Sequence, residues 1–172
     1  MRASLILWVL LSAFSPSVLA IDYASVVKDY KMDEAPDGFL EFSAKQGVTH
    51  PNTCAVRLAY AHFLGDKEFF RDVTAKSGIE WHGLPVRADD LAIILNTKLG
   101  KAVRYDSPDK SKGLAPTEII GKKGILFFDK LEGWDGGTGH ISLWDGNRVL
   151  DVGDGGAGYF RRGERLYFWP LR

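Results

Sequence analysis

The amino-acid sequence predicts an α+β fold, with helices first and an antiparallel sheet after them. Apolar residues recur at helical spacing through the segments before Gly100. Beyond Gly124 the pattern changes to short runs of strand type, and Asp145-Gly146 stands between two of them as a hairpin signal. Helical runs followed by strands, rather than an alternation of the two, are the order expected of α+β chains.

The elements follow in chain order. Residues 1–20 read as a signal peptide: Arg2 provides a basic start, residues 5–14 an apolar core, and Val18-Leu19-Ala20 a small-residue cleavage site before Ile21-Asp22. The apolar run is too short to span a bilayer comfortably. The expected product is residues 21–172, one soluble domain, secreted or periplasmic, with no membrane association after cleavage. Residues 23–30 form a first short helix that stops before a turn containing Pro36 and Gly38. Residues 39–45 form a second, ending at Gly47. A third helix covers 54–63, with Gly65 as its stop signal. Ala55, Val56, Leu58, Ala59, Tyr60, Ala61 and Phe63 make it apolar on most sides, the mark of a central, buried helix. A fourth helix covers 88–99, with Asp89 and Asp90 in its first turn, Leu91, Ile94, Leu95 and Leu99 on one face, and Gly100 at its end. After a loop at 107–113, residues 116–120 suit one helical turn. Strands are expected at 124–128, 140–144, 148–152 and 165–170.

Composition narrows the function classes. The chain has 172 residues, with 22 basic and 22 acidic side chains. Residues 1–20 hold one of the basic residues and no acidic one, so the remainder carries 21 against 22, a net charge of −1. Neither nucleic acid nor an anionic membrane surface is the expected partner of such a chain. Cys54 is the single cysteine, so no internal disulfide can form and the thiol is either buried and inert or kept for its reactivity.

The position of Cys54 favours reactivity. It stands where a polar, turn-forming segment becomes an apolar helix, and a sulfur at a helix start faces unpaired N–H groups and the positive end of the helix dipole. Thiolate, favoured there, is the form that attacks a carbonyl carbon. The matching base is His140. If Asp145-Gly146 is a two-residue type I′ loop, Trp144 pairs with Asn147 and, four rungs further, His140 pairs with Asp151. A three-residue loop would instead set His140 against Val152. Cys54, His140 and Asp151 thus become nucleophile, base and orienting acid, with the Cys54 N–H and the Asn52 side chain as oxyanion donors. A nucleophile on an early central helix and a base on the following sheet is the papain-like arrangement.

Other features are read as structural. His50, His62 and His82 lack the close spacing of a zinc site, and His62 lies more than two helical turns from Cys54. Trp134 and Trp144 beside the hairpin read as packing rather than a sugar platform. The glycine-rich stretch 153–158 has neither a following helix start nor the Lys-Ser/Thr of a phosphate loop, and is expected to rim the site. Arg57, three residues after Cys54, either holds a carboxylate of substrate or protein or packs at the surface.

Four blocks carry a family resemblance: Asn52-Thr53-Cys54-Ala55-Val56-Arg57-Leu58, Arg87-Ala88-Asp89-Asp90-Leu91, Gly121-Lys122-Lys123-Gly124-Ile125-Leu126-Phe127-Phe128, and Gly139-His140-Ile141-Ser142-Leu143-Trp144-Asp145-Gly146. Their sequence and order resemble the type VI secretion amidase effector 4 family. The resemblance implies a papain-like fold of the NlpC/P60 type. It also implies an amidase that cuts the peptidoglycan stem peptide between D-glutamate and meso-diaminopimelate, and a cognate immunity protein as partner. The family's nucleophile, base and acid fall on Cys54, His140 and Asp151. No metal or organic cofactor is called for. The same three residues would also serve a cysteine protease or acyltransferase on another substrate, and a non-catalytic module binding wall peptides or a partner protein is the alternative of a different class.

Overall fold

The computed structural model describes residues 21–48, 52–106, 110–134 and 139–172. The expected signal peptide, its cleavage site, His50 and part of the 107–113 loop lie outside the described residues.

Helix α1 (Tyr23–Asp29) starts at Asp22, whose carboxylate accepts from the N–H groups of Ala24 and Ser25. Helix α2 (Phe39–Lys45) follows Gly38, which takes φ +82° and so turns the chain where a side chain would strain it. Helix α3 (Cys54–Gly65) runs two residues beyond the expected end, and the N–H of Asp66 closes it on the His62 carbonyl. Helix α4 (Ala88–Leu99) has the expected limits, with Gly100 at φ +86° beyond its last residue.

The main sheet is antiparallel throughout. Its strands are β3 (Val103–Asp106), β4 (Gly124–Leu131), β5 (Gly139–Trp144) and β6 (Gly163–Pro170), in the order β3-β6-β4-β5. Side chains alternate between two apolar cores. Ile125, Phe127, Ile141, Leu143 and Trp169 pack toward α3 and α4, against residues such as Val56, Leu58, Leu91 and Leu95. Leu126, Phe128, Trp144, Leu166 and Phe168 point to the other face, where Ile119, Val149 and Phe160 cover them. Both faces of the sheet's inner part are therefore covered by apolar cores, and β5 at its edge is buried along its whole length. No helix among the described residues is long and apolar enough to cross a membrane.

Three elements were not legible in the sequence. A two-residue hairpin, β1 (Glu80–Trp81) with β2 (Leu84–Pro85), precedes α4. Strand β3 is short and largely exposed, so it has no apolar alternation to read. Helix α5 (Ala157–Arg162) rises directly from the glycine-rich stretch, correcting the expectation that no helix starts there. The Asp154 carboxylate accepts from the N–H groups of Gly156 and Gly158, so the glycines supply turning freedom while one aspartate caps the turn.

The hairpin after β5 departs from its expected form. Residues 148–152 do not form a strand; one bridge, Trp144 with Val149, is all the ladder that remains. The N–H of Leu150 donates to the Leu143 carbonyl, and that of Asp145 to the Arg148 carbonyl. The loop is thus Gly146-Asn147, and every pairing slides by two residues from the type I′ register. Asp145 causes the slide. Its carboxylate accepts from the N–H groups of both Asn147 and Arg148, which fixes it before the loop instead of within it. Only Gly146 of the pair takes positive φ, so the turn is not type I′.

Candidate active site

Because side chains in a strand alternate with period two, a slide of two residues leaves each side chain on its original face. Asp151 therefore still points to the side of β5 that carries His140 and Ser142, but it faces Ser142 and reaches His140 diagonally. Asp151 Oδ1 accepts from Ser142 Oγ at 2.6 Å and meets His140 Nε2 at 3.2 Å. Its other oxygen accepts from Tyr30 Oη at 3.1 Å and from Arg57 Nη2 at 3.0 Å. The carboxylate side chain is fully buried and has four partners drawn from α3, β5 and the residue that ends α1.

Cys54 opens α3, is buried, and is the near neighbour of the His140 ring. His140 Nδ1 is buried and has no hydrogen-bond partner of good geometry, which leaves that nitrogen for the sulfur. Burial by itself would lower the His140 pKa. The hydrogen bond and charge of Asp151, together with the interaction with Cys54, outweigh it and raise the value to about 9. Burial likewise pushes Asp151 up, but His140, Ser142 and Arg57 prevail and hold its carboxyl below the ordinary aspartate range. The ring is accordingly an imidazolium at neutral pH, braced against a permanent carboxylate.

The backbone before His140 is also specified. Gly139 has φ +151°, and a Cβ there would run into the Phe128 carbonyl oxygen and the Phe127 ring. Glycine lets β5 approach β4 closely enough to seat His140 beside Phe128. The far face of the imidazole is covered by Tyr159 of α5, stacked with centroids 4.1 Å apart and 6° between planes.

Cys54, His140 and Asp151 are thus brought together. Asn52 lies beside them, but its Oδ1 accepts from the Cys54 N–H at 3.1 Å, so the two groups expected as oxyanion donors are bonded to one another. Arg57 holds a carboxylate of the protein, Asp151. His62 is buried and stacks on Phe69, and burial pushes its pKa down to about 4. Trp144 is buried and its indole N–H donates to the Ile119 carbonyl, a packing role. Among the described residues no group of three His, Cys, Asp or Glu side chains is placed to hold a metal ion.

Sequence reasoning missed Tyr30, Ser142 and Tyr159. Ser142 had a signal: it is a polar residue in an otherwise apolar strand, two positions from His140 and so on the same face. Tyr30 and Tyr159 had none, since only the tertiary fold brings the end of α1 and the middle of α5 to the histidine.

Helix-start cysteine, strand histidine and buried aspartate on an α+β frame define the papain-like class of the NlpC/P60 type. The family model of type VI secretion system amidase effector protein 4, Tae4, matches residues 50–169, and the chain belongs to that family. Two solved structures illustrate the likeness. Tae4 from Enterobacter cloacae, in an effector–immunity complex with Tai4, is 25% identical at a TM-score of 0.60, with 88% of this chain and 98% of that one covered. Tae4 from Salmonella typhimurium, in complex with Tai4 from Enterobacter cloacae, is 20% identical at a TM-score of 0.60, covering 88% and 99%; this second likeness is one of fold. Comparison with curated protein sequences gives no match.

Proposed function

We propose that this protein is a secreted peptidoglycan amidase, a cysteine-dependent hydrolase of the γ-D-glutamyl–meso-diaminopimelate bond in wall stem peptides. The observation that carries the proposal is the chain of contacts from Cys54 through His140 to Asp151, ending on a buried carboxylate with four partners. Membership of the amidase effector family supports the substrate class.

Cys54 Sγ attacks the γ-carbonyl carbon of D-glutamate, forming a C–S bond. The imidazolium of His140 gives its proton to the departing diaminopimelate amine as the C–N bond breaks. Water then attacks the thioester, His140 takes its proton, and the glutamyl carboxylate leaves with Cys54 restored. Asp151 holds the ring's orientation throughout and favours its protonated form at the start and end of the cycle. The oxyanion forms beside the Cys54 N–H, which at rest donates to Asn52; a bound carbonyl displaces Asn52 Oδ1 and leaves the carboxamide free to donate in turn. A Tai4-like immunity protein is the expected inhibitor, as Tai4 accompanies the similar Tae4 structures.

Digestion of purified muropeptides, followed by mass analysis of the new ends, tests this. The expected products carry a new glutamyl carboxyl and a new diaminopimelate amine. Intact stem peptides, or cleavage at another bond, would overturn the assignment. Alkylating Cys54 separates enzyme from binder: it should abolish hydrolysis, whereas a wall-binding module would keep its affinity.

A further inference from the structure

Beside the site lies a cavity of about 420 Å³ lined by Asp151, Val152, Gly153, Asp154, Gly158, Tyr159 and Arg162. Two of its walls, Asp151 and Tyr159, are groups that touch His140. Arg162 is the unusual member. Three arginines among the described residues are half-buried: Arg57, Arg162 and Arg165. Arg57 is paired with Asp151 and Arg165 with Asp129, whereas Arg162 has no carboxylate partner among the described residues. Its one hydrogen bond runs from Nε to the Gly158 carbonyl at 3.3 Å. Its guanidinium lies over two rings, 5.6 Å from the centre of Tyr159 and 5.8 Å from that of Trp134. Those contacts orient the group, and its Nη atoms have no hydrogen-bond partner among the described residues. The cavity's own carboxylates do not compete for it: Asp151 is engaged by four donors, and Asp154 by two backbone N–H groups.

A partly desolvated guanidinium held in place without a counter-ion among the described residues is a receptor for a carboxylate. Tyr159 links it to the histidine, and the two ring contacts put Arg162 Cζ at most about 10 Å from the His140 ring centre. A γ-linked glutamyl residue carries its free α-carboxylate on the far side of its Cα, Cβ and Cγ atoms, roughly 5 Å from the scissile carbonyl at ordinary C–C lengths. One charge-assisted contact of about 2.8 Å beyond that is on the same scale as the separation seen here.

We infer that Arg162 is a specificity-determining residue that binds the free α-carboxylate of the glutamyl acyl donor, and so selects acidic stem peptides over those whose α-carboxyl is amidated. This rests on the amidase reading above and deepens it. Arg57 is spent on the buried carboxylate, and Arg162 is the half-buried arginine left without a carboxylate among the described residues.

The test compares two otherwise identical muropeptides, one with D-glutamate and one with D-isoglutamine at the second position. Wild-type enzyme should favour the acid by about tenfold to a hundredfold in kcat/KM, the range of a hydrogen-bonded charge, with the difference mainly in KM. In Arg162→Gln the ratio should fall toward one, and Arg162→Lys should restore part of it. Equal losses on both substrates in Arg162→Gln, with the ratio kept, would mean that Arg162 merely packs on Tyr159 and would overturn the inference. Equal wild-type rates on the two substrates would overturn it without any variant. Failure of the wild type to cut either substrate would instead remove the amidase reading, and the inference with it.

Discussion

At the residue scale Asp151 is the hub of the site. Its charge is surrounded by His140, Ser142, Tyr30 and Arg57, so replacing it with Asn removes the charge while keeping an acceptor. Asp151→Asn should lower turnover by orders of magnitude; the comparable exchange in serine proteases lowers it by about 10⁴. Steady-state kinetics at matched folded fraction check this. The pH profile offers an independent reading. With its pKa at about 9 in the free enzyme, His140 keeps the proton that the leaving amine needs until alkaline pH, so kcat/KM should decline as pH rises through about 9. In Asp151→Asn that limb should move down, since one of the groups raising the pKa is gone. The sign for stability is the same: a folded-state pKa above the unfolded value of about 6.5 stabilises fully below pH 6.5, and the gain is lost as pH climbs through about 9. A wild-type melting temperature that does not fall across this window would contradict the raised His140 value. That Cys54, His140 and Asp151 come together was legible from a helix start and a hairpin signal, the latter by way of a register two residues off. The contacts of Tyr30 and Tyr159 were not, because the fold makes them across long sequence separations.

At the element scale, the hairpin after β5 explains how a wrong register led to the same pair of side chains. Asp145-Gly146 signals a turn, but the competing capability of Asp145, bonding the N–H groups two and three residues on, decides where the loop begins. Local propensity does not weigh these two outcomes, and the difference of two residues left the face of Asp151 unchanged. Asp145→Asn keeps that acceptor and should leave activity near wild type, whereas Asp145→Ala should loosen the loop and lower both stability and turnover. Urea unfolding of the two variants distinguishes them; equal behaviour would deny the carboxylate its role. Gly139 is the other sensitive point. Gly139→Ala forces a Cβ against the Phe128 carbonyl and should destabilise the fold by more than the roughly 1 kcal/mol that such an exchange gains where the backbone suits alanine. The long helices and inner strands were legible because each satisfies its own period. β3, the β1–β2 hairpin and α5 are short, exposed or glycine-led, and take their form from neighbours.

At the scale of the whole molecule, a sheet covered on both faces at β4 and β5 is what holds the site. Helices α3 and α4 cover one face and α5 with its loop covers the other, so the histidine on the edge strand is reached from both sides: by Cys54 from α3 and by Tyr159 from α5. With one cysteine and no disulfide, burial supplies the stability. Leu166 is fully buried opposite Phe128, two strands from His140, and Leu166→Ala should cost about 2–5 kcal/mol in denaturant unfolding. The central claim is that Cys54 is the nucleophile of a wall-peptide amidase, and Cys54→Ala tests it most directly. Alanine is a good helix former that removes one buried sulfur, so the variant should keep the wild-type circular dichroism spectrum. Assayed against purified muropeptides, the folded variant should release no new glutamyl carboxyl or diaminopimelate amine. Hydrolysis retained at a rate near wild type would remove Cys54 from the mechanism and with it the reading of the site.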